Sequence, residues 1–170
     1  MKRKKNLISF SFAFLLLLFV FSCEHTDEPA DKKLQYPPDN QQKVSITQGV
    51  WGNVWFWEGD FMPIIDPDNA KITPVVREIY VHEATTETMV ERSPFGFYTK
   101  INSKLMTVIQ SDKDGFFQVA LDPGKYSFFV KEDTAFYANL FDGQGCICPA
   151  TVTADSVTKI QIDITYRASF

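Results

Sequence analysis

Between residues 159 and 167 the chain alternates without a break. Ile160, Ile162, Ile164 and Tyr166 fall on one parity, and Lys159, Gln161, Asp163, Thr165 and Arg167 on the other. Successive side chains of a strand point to opposite faces, so this pattern suits a strand with one face in a core and the other toward water. Phe117, Val119 and Leu121 make a second such face, and Tyr126, Phe128 and Val130 a third. No long stretch repeats at the helical period of 3.6, and aromatic and β-branched residues dominate, as strand chemistry requires.

Turn residues divide these faces. Asp122-Pro123-Gly124 separates two of them: proline presets φ and glycine supplies a positive φ. Ser111-Asp112-Lys113-Asp114-Gly115 is predicted to close a hairpin joining 104–110 to 116–121. Further strands are predicted at 50–57, 75–83, 136–141 and 150–153, with 59–74 irregular. About eight short strands and no helix predict an all-β fold, an antiparallel two-sheet Greek-key sandwich of the Ig-like kind. Lys125, Lys131 and Lys159 are expected to guard its edges.

The start of the chain carries a different message. Lys2, Arg3, Lys4 and Lys5 precede an apolar run, 7–21, interrupted only by Ser9 and Ser11, and Val20-Phe21-Ser22-Cys23 closes it. A basic region, an apolar region and a small residue before the cut are the parts of an export signal. The run is shorter than the roughly 20 apolar residues of a membrane span. Val20, Ser22 and Cys23 resemble a lipobox, although Phe21 departs from it. The resemblance implies a signal at 1–22 and a lipidated Cys23 as the mature terminus. A plain secretory signal and an uncleaved anchor are the alternatives. Each buried CH₂ contributes about 0.8 kcal/mol, so several acyl chains would hold the protein permanently. The expected location is the bacterial cell envelope, as an outer-membrane lipoprotein on its periplasmic or surface face.

Cleavage before Cys23 would lower Lys+Arg from 17 to 13 against 21 Asp+Glu, a net charge of −8. Phosphate backbones repel such a chain, so no nucleic acid is expected as a partner. Residues 24–43 hold Glu24, Asp27, Glu28, Asp31 and Asp39 and three prolines, with Leu34 and Tyr36 almost alone as apolar groups. That composition predicts that 23–43 is a disordered acidic tether spanning roughly 25 Å. Residues 44–170 are then a single domain.

The stretch from Ser111 to Val130 resembles the signature of carboxypeptidase regulatory-like domains. There a D-x-D-G-x-F turn, an alternating strand, an L-x-P-G-x-Y turn and another alternating strand follow in series. Gly49-Val50-Trp51 is similar to the opening of such domains, and Glu78-Ile79-Tyr80-Val81 to the strand that follows it. The resemblance implies a transthyretin-like sandwich over about 48–166. It also implies a non-catalytic accessory role, without cofactor, toward an envelope protein partner.

Four groups of residues are candidate sites. Asp112 and Asp114 offer two carboxylates, whereas calcium wants six to eight oxygens; a turn is the simpler reading. Cys146 and Cys148 admit a local disulfide, unpaired thiols, or metal or redox chemistry. His82-Glu83 has no nucleophile beside it, and His82 reads as an exposed or edge residue. Trp51, Trp55 and Trp57 share one parity, so one face could carry three indoles. Exposed, Trp55 and Trp57 would stack on sugar rings; buried, they would fill a core. The expected function is a lipid-anchored interaction module that is not an enzyme, with glycan binding through Trp55 and Trp57 as the alternative.

Overall fold

A computed structural model describes residues 34–62 and 69–170. The predicted signal 1–22, Cys23 and the tether up to residue 33 lie outside the described residues, as do 63–68. The described residues form a β-sandwich of two sheets with no α-helix. No helix among them is long and apolar enough to cross a membrane.

The four-stranded sheet holds β1 (Gly49–Asp60), β2 (Lys71–Pro74), β7 (Phe116–Val119) and β11 (Val157–Ser169). β11 runs beside β1 in parallel, while β2 and β7 share the other side of β1 in antiparallel register. The seven-stranded sheet holds β3 (Glu78–Glu83), β4 (Val90–Ser93), β5 (Phe97–Ile101), β6 (Leu105–Gln110), β8 (Gly124–Glu132), β9 (Ala135–Tyr137) and β10 (Pro149–Val152). Its order is β4-β5-β9-β8-β3-β6, with β10 also on β8, and every pair is antiparallel.

The alternating faces meet where the sequence placed them. Val50, Val54, Ile162 and Ile164 of one sheet and Ile79, Val81, Phe128 and Val130 of the other join one core. Phe117 and Phe128 come together from opposite sheets at 6.2 Å, and Tyr166 meets Phe97 and Tyr137 at 5.1 and 5.6 Å. Burying one such side chain contributes about 1.5–3 kcal/mol. β8 is buried on both faces, because Ser127 and Phe129 are as inaccessible as Phe128 and Val130. Tyr98 of β5 packs edge-on against Phe129 at 5.6 Å.

Several expectations change. The Ser111–Gly115 turn does not close a hairpin: β6 pairs with β3, and β7 pairs with β1 in the other sheet. A turn signal reports where the chain reverses, and a reversal can lead to the neighbouring strand or across the sandwich. Within 59–74 β1 continues to Asp60 and β2 forms, since Lys71–Pro74 can pair with Trp55–Glu58. The 136–141 strand ends at Tyr137. β4 and β5 occupy a stretch with little alternation. Lys125 and Lys131 lie on β8, which is paired on both sides; of the three lysines only Lys159, on β11, stands at an edge.

The tether is corrected over its last residues. Residues 36–43 lie on the outer face of the four-stranded sheet, anchored by Asn40, which is 2% exposed. Its Nδ2 donates to Asn53 Oδ1 at 2.7 Å and to the Asp114 carbonyl at 3.0 Å. Asp39 Oδ2 lies 2.5 Å from Lys159 Nζ. Composition measures how much apolar surface a segment can bury. It is blind to an amide that fits two buried acceptors.

Candidate functional site

Trp51, Asn53, Trp55 and Trp57 alternate with the core residues of β1 and so face outward, beside Gln161, Asp163 and Thr165 of β11. The parallel register sets Asn53 opposite Gln161 and Trp55 opposite Asp163. Burial then grades along the strand. Trp51 is buried, whereas Trp55 and Trp57 are half-buried. Tyr36 covers both of the latter, its ring 6.3 Å from Trp55 and 6.0 Å from Trp57. The Nε1 of Trp55 is buried and has no hydrogen-bond partner among the described residues. For Trp55 and Trp57 neither extreme expectation fits, since they are neither an open platform nor core, whereas Trp51 is buried.

Beyond Trp57 the surface opens. Its ring stands 5.0 Å from Phe61 and 6.1 Å from Phe170, and Phe61 stacks on Phe170 at 5.4 Å. Phe170 is 69% exposed and Leu140 53%. Trp57 and Phe170, with Leu140, Asn139, Gln161, Asp163 and Thr165, line a groove of about 550 Å³. Asp163 Oδ1 accepts from Trp57 Nε1 at 2.9 Å and from Gln161 Nε2 at 3.1 Å. Burial pushes the Asp163 carboxyl above its ordinary range, against those two bonds. Thr165 Oγ1 accepts from Asn139 Nδ2 at 2.9 Å and lies 3.0 Å from the Tyr137 hydroxyl. A second cavity, about 620 Å³ and lined partly by Ser45, Met106, Leu121 and Asp122, has no such cluster of aromatic rings.

The other candidates sit elsewhere. Asp112 and Asp114 both hold the Lys43 ammonium, at 2.8 and 2.7 Å. Asp112 Oδ1 accepts from the backbone N–H of Asp114 and of Phe116, at 2.9 and 3.0 Å. Burial works against the charged form of Asp112, yet the Lys43 bond and these N–H groups hold its carboxyl below the ordinary value. A lysine therefore stands where the sequence allowed a metal ion. No group of three His, Cys, Asp or Glu side chains among the described residues is placed to hold a metal.

Cys146 and Cys148 stand as buried free thiols rather than a local bridge. Cys146 Sγ lies 3.5 Å from Ser127 Oγ, while Cys148 belongs to the core cluster. Burial pushes the Cys148 thiol up to about 12, which suppresses thiolate chemistry at neutral pH. His82 is corrected from exposed to buried, at 5%. Its Nδ1 lies 3.0 Å from the Ser103 carbonyl and its ring meets Phe129 edge-on. Burial lowers its basicity. Ser103, in a stretch where the sequence predicted no element, lies against the ring.

Sequence reasoning singled out Trp55 and Trp57 but not Asp163 or Phe170. Asp163 was legible only as the polar member of an alternating strand. No protein-family model, curated protein or solved structure matches this chain.

Proposed function

We propose that the chain is a lipid-anchored cell-envelope protein whose sandwich is a non-catalytic interaction module. Cys23 would hold it at the outer membrane, and the aromatic groove beside β11 would engage a protein partner. The observation that carries this reading is one groove lined by half-buried Trp57 and exposed Phe170 and Leu140, with half-buried Phe61 packed on the Trp57 and Phe170 rings. Aromatic residues around a partly polar depression are the usual centre of a protein interface. The lipobox resemblance supports the location, and the two-sheet sandwich is consistent with an accessory module of the carboxypeptidase regulatory-like kind.

A photo-crosslinking residue at Leu140 in intact cells tests the reading. It is expected to give a discrete protein adduct that the same residue at Lys113, on a remote turn, does not give. The absence of an adduct at Leu140 would count against it. Metabolic labelling with a fatty acid, lost in Cys23→Ala, tests the anchor.

Glycan binding is the second reading, favoured by the Trp57 ring beside the Asp163 carboxylate. Quenching of tryptophan fluorescence by soluble polysaccharides, removed by Trp57→Ala, would support it.

A further inference from the structure

The groove beside β11 holds a carboxylate and no cation among its lining residues. Trp57 Nε1 and one N–H each of Gln161 Nε2 and Asn139 Nδ2 bond neighbours within the protein. The acceptors Asp163 Oδ2, Gln161 Oε1 and Asn139 Oδ1 have no partner among the described residues. Asp163 is half-buried and receives only neutral donors. No lysine or arginine lines the groove. On β11 itself, Lys159 is held by Asp39, and Arg167 is not among the lining residues. A partly desolvated carboxylate without a cation is costly, and a cation that arrives beside an aromatic ring gains from the ring as well as from the carboxylate.

We propose that this groove receives a basic side chain of the partner protein, a lysine ammonium or an arginine guanidinium, seated against Asp163 beside the Trp57 and Phe170 rings. The inference rests on reading this face as the partner-binding surface and adds the chemistry that the partner must bring. An ammonium or a guanidinium has only donors to give, and the Asp163 carboxylate, the charged group of the groove lining, can only accept. The acidic balance of the chain, with 21 Asp+Glu against 17 Lys+Arg, favours the same kind of partner at longer range.

The experiment compares adduct yield from the photo-crosslinking residue at Leu140 in the otherwise unchanged full chain, in Asp163→Asn and in Asp163→Glu. Loss of the charge is expected to lower the yield about tenfold or more, while glutamate retains part of it. In parallel, tryptophan fluorescence of the purified full chain is titrated with a lysine-rich peptide and with its lysine-acetylated counterpart. Saturation by the first and not the second supports the inference. Equal adduct yields in Asp163→Asn, with its circular dichroism unchanged, would overturn it and leave the interaction reading standing. Equal responses to both peptides, or saturation by a neutral oligosaccharide alone, would overturn it too. No adduct from any chain would remove the reading beneath it.

Discussion

Two turns of this protein have the same local chemistry and different surroundings. In Asp112-Lys113-Asp114-Gly115-Phe116, Oδ1 of the first residue accepts two backbone N–H groups. Its own N–H donates to the carbonyl of the fifth, and the glycine N–H donates back to the carbonyl of the first. Asp142-Gly143-Gln144-Gly145-Cys146 repeats each bond. The glycines adopt φ of 77° and 79°, and Lys43 and Lys125 bind the respective carboxylates. The first turn is a corner that carries the chain from one sheet to the other. There a Cβ on Gly115 would meet the Val54 carbonyl at 2.6 Å, whereas one on Gly145 would meet nothing within 4 Å. Local sequence therefore builds the turn, and tertiary packing decides how much the fold depends on it.

The largest expected effect separates the two glycines. Gly115→Ala adds a backbone clash to the left-handed strain and is expected to destabilise by about 3–4 kcal/mol. Gly145→Ala meets only the strain and is expected to cost about 1 kcal/mol. Urea denaturation of the two variants checks this, and equal losses would break the contrast.

Removing the carboxylates comes next. Asp112→Ala and Asp142→Ala each strip two N–H groups of their acceptor. Because Asp112 also joins the Lys43 contact to the docked segment, its loss is expected to lower Tm more, by roughly 5 °C. Thermal melts followed by circular dichroism would reveal a reversed order.

Acid should act on both turns in the same direction. The Lys125 bond, helped by the Cys146 N–H, holds the Asp142 carboxyl at about 2, below its ordinary 3.8. A carboxyl lower in the folded state contributes stability above its unfolded value, and that contribution fades as pH falls from 3.8 toward 2. Asp112 is lowered as well and behaves alike. Asp163 is raised, so protonation relieves it and stability from this group grows as pH falls. Asp142→Asn should flatten the acid loss, and Asp163→Asn should steepen it. Denaturation midpoints distinguish the two, because the Asp142 change falls between pH 3.8 and about 2 and the Asp163 change falls above 3.8.

The smallest effect belongs to the lysines. Their ion pairs are only partly buried, and pairs still in contact with water contribute little. Lys43→Met and Lys125→Met should each shift Tm by less than about 2 °C and lose even that difference in high salt. A larger shift for Lys43 would mean that the docked segment 36–43 matters more to the fold than its few contacts suggest.

Much of the fold was legible because burial on one side of a strand leaves a two-residue rhythm. Ile160–Tyr166 and Tyr126–Val130 pack where that rhythm put them. β4 and β5 were not legible, since Val90–Ser93 and Phe97–Ile101 are short and Tyr98 alone among them is buried. His82 was misleading for the opposite reason: a polar residue on the outer face of a sheet looks solvated until another stretch of chain covers it. At the candidate site, the parity of Trp51, Trp55 and Trp57 was plain, and their shared face followed from it. The neighbourhood of Asp163 was not, because it depends on a parallel register between strands about a hundred residues apart.

By itself the sequence determined which residues alternate and where most of the chain turns. These follow from φ preferences and from the direction of successive Cβ atoms, both properties of short stretches. Only the tertiary structure decided that the corner at Gly115 crosses the sandwich, that Asn40 docks, and that Asp163 lies in an aromatic groove. Each of those depends on which surface another part of the chain removes from water, and no local stretch encodes that.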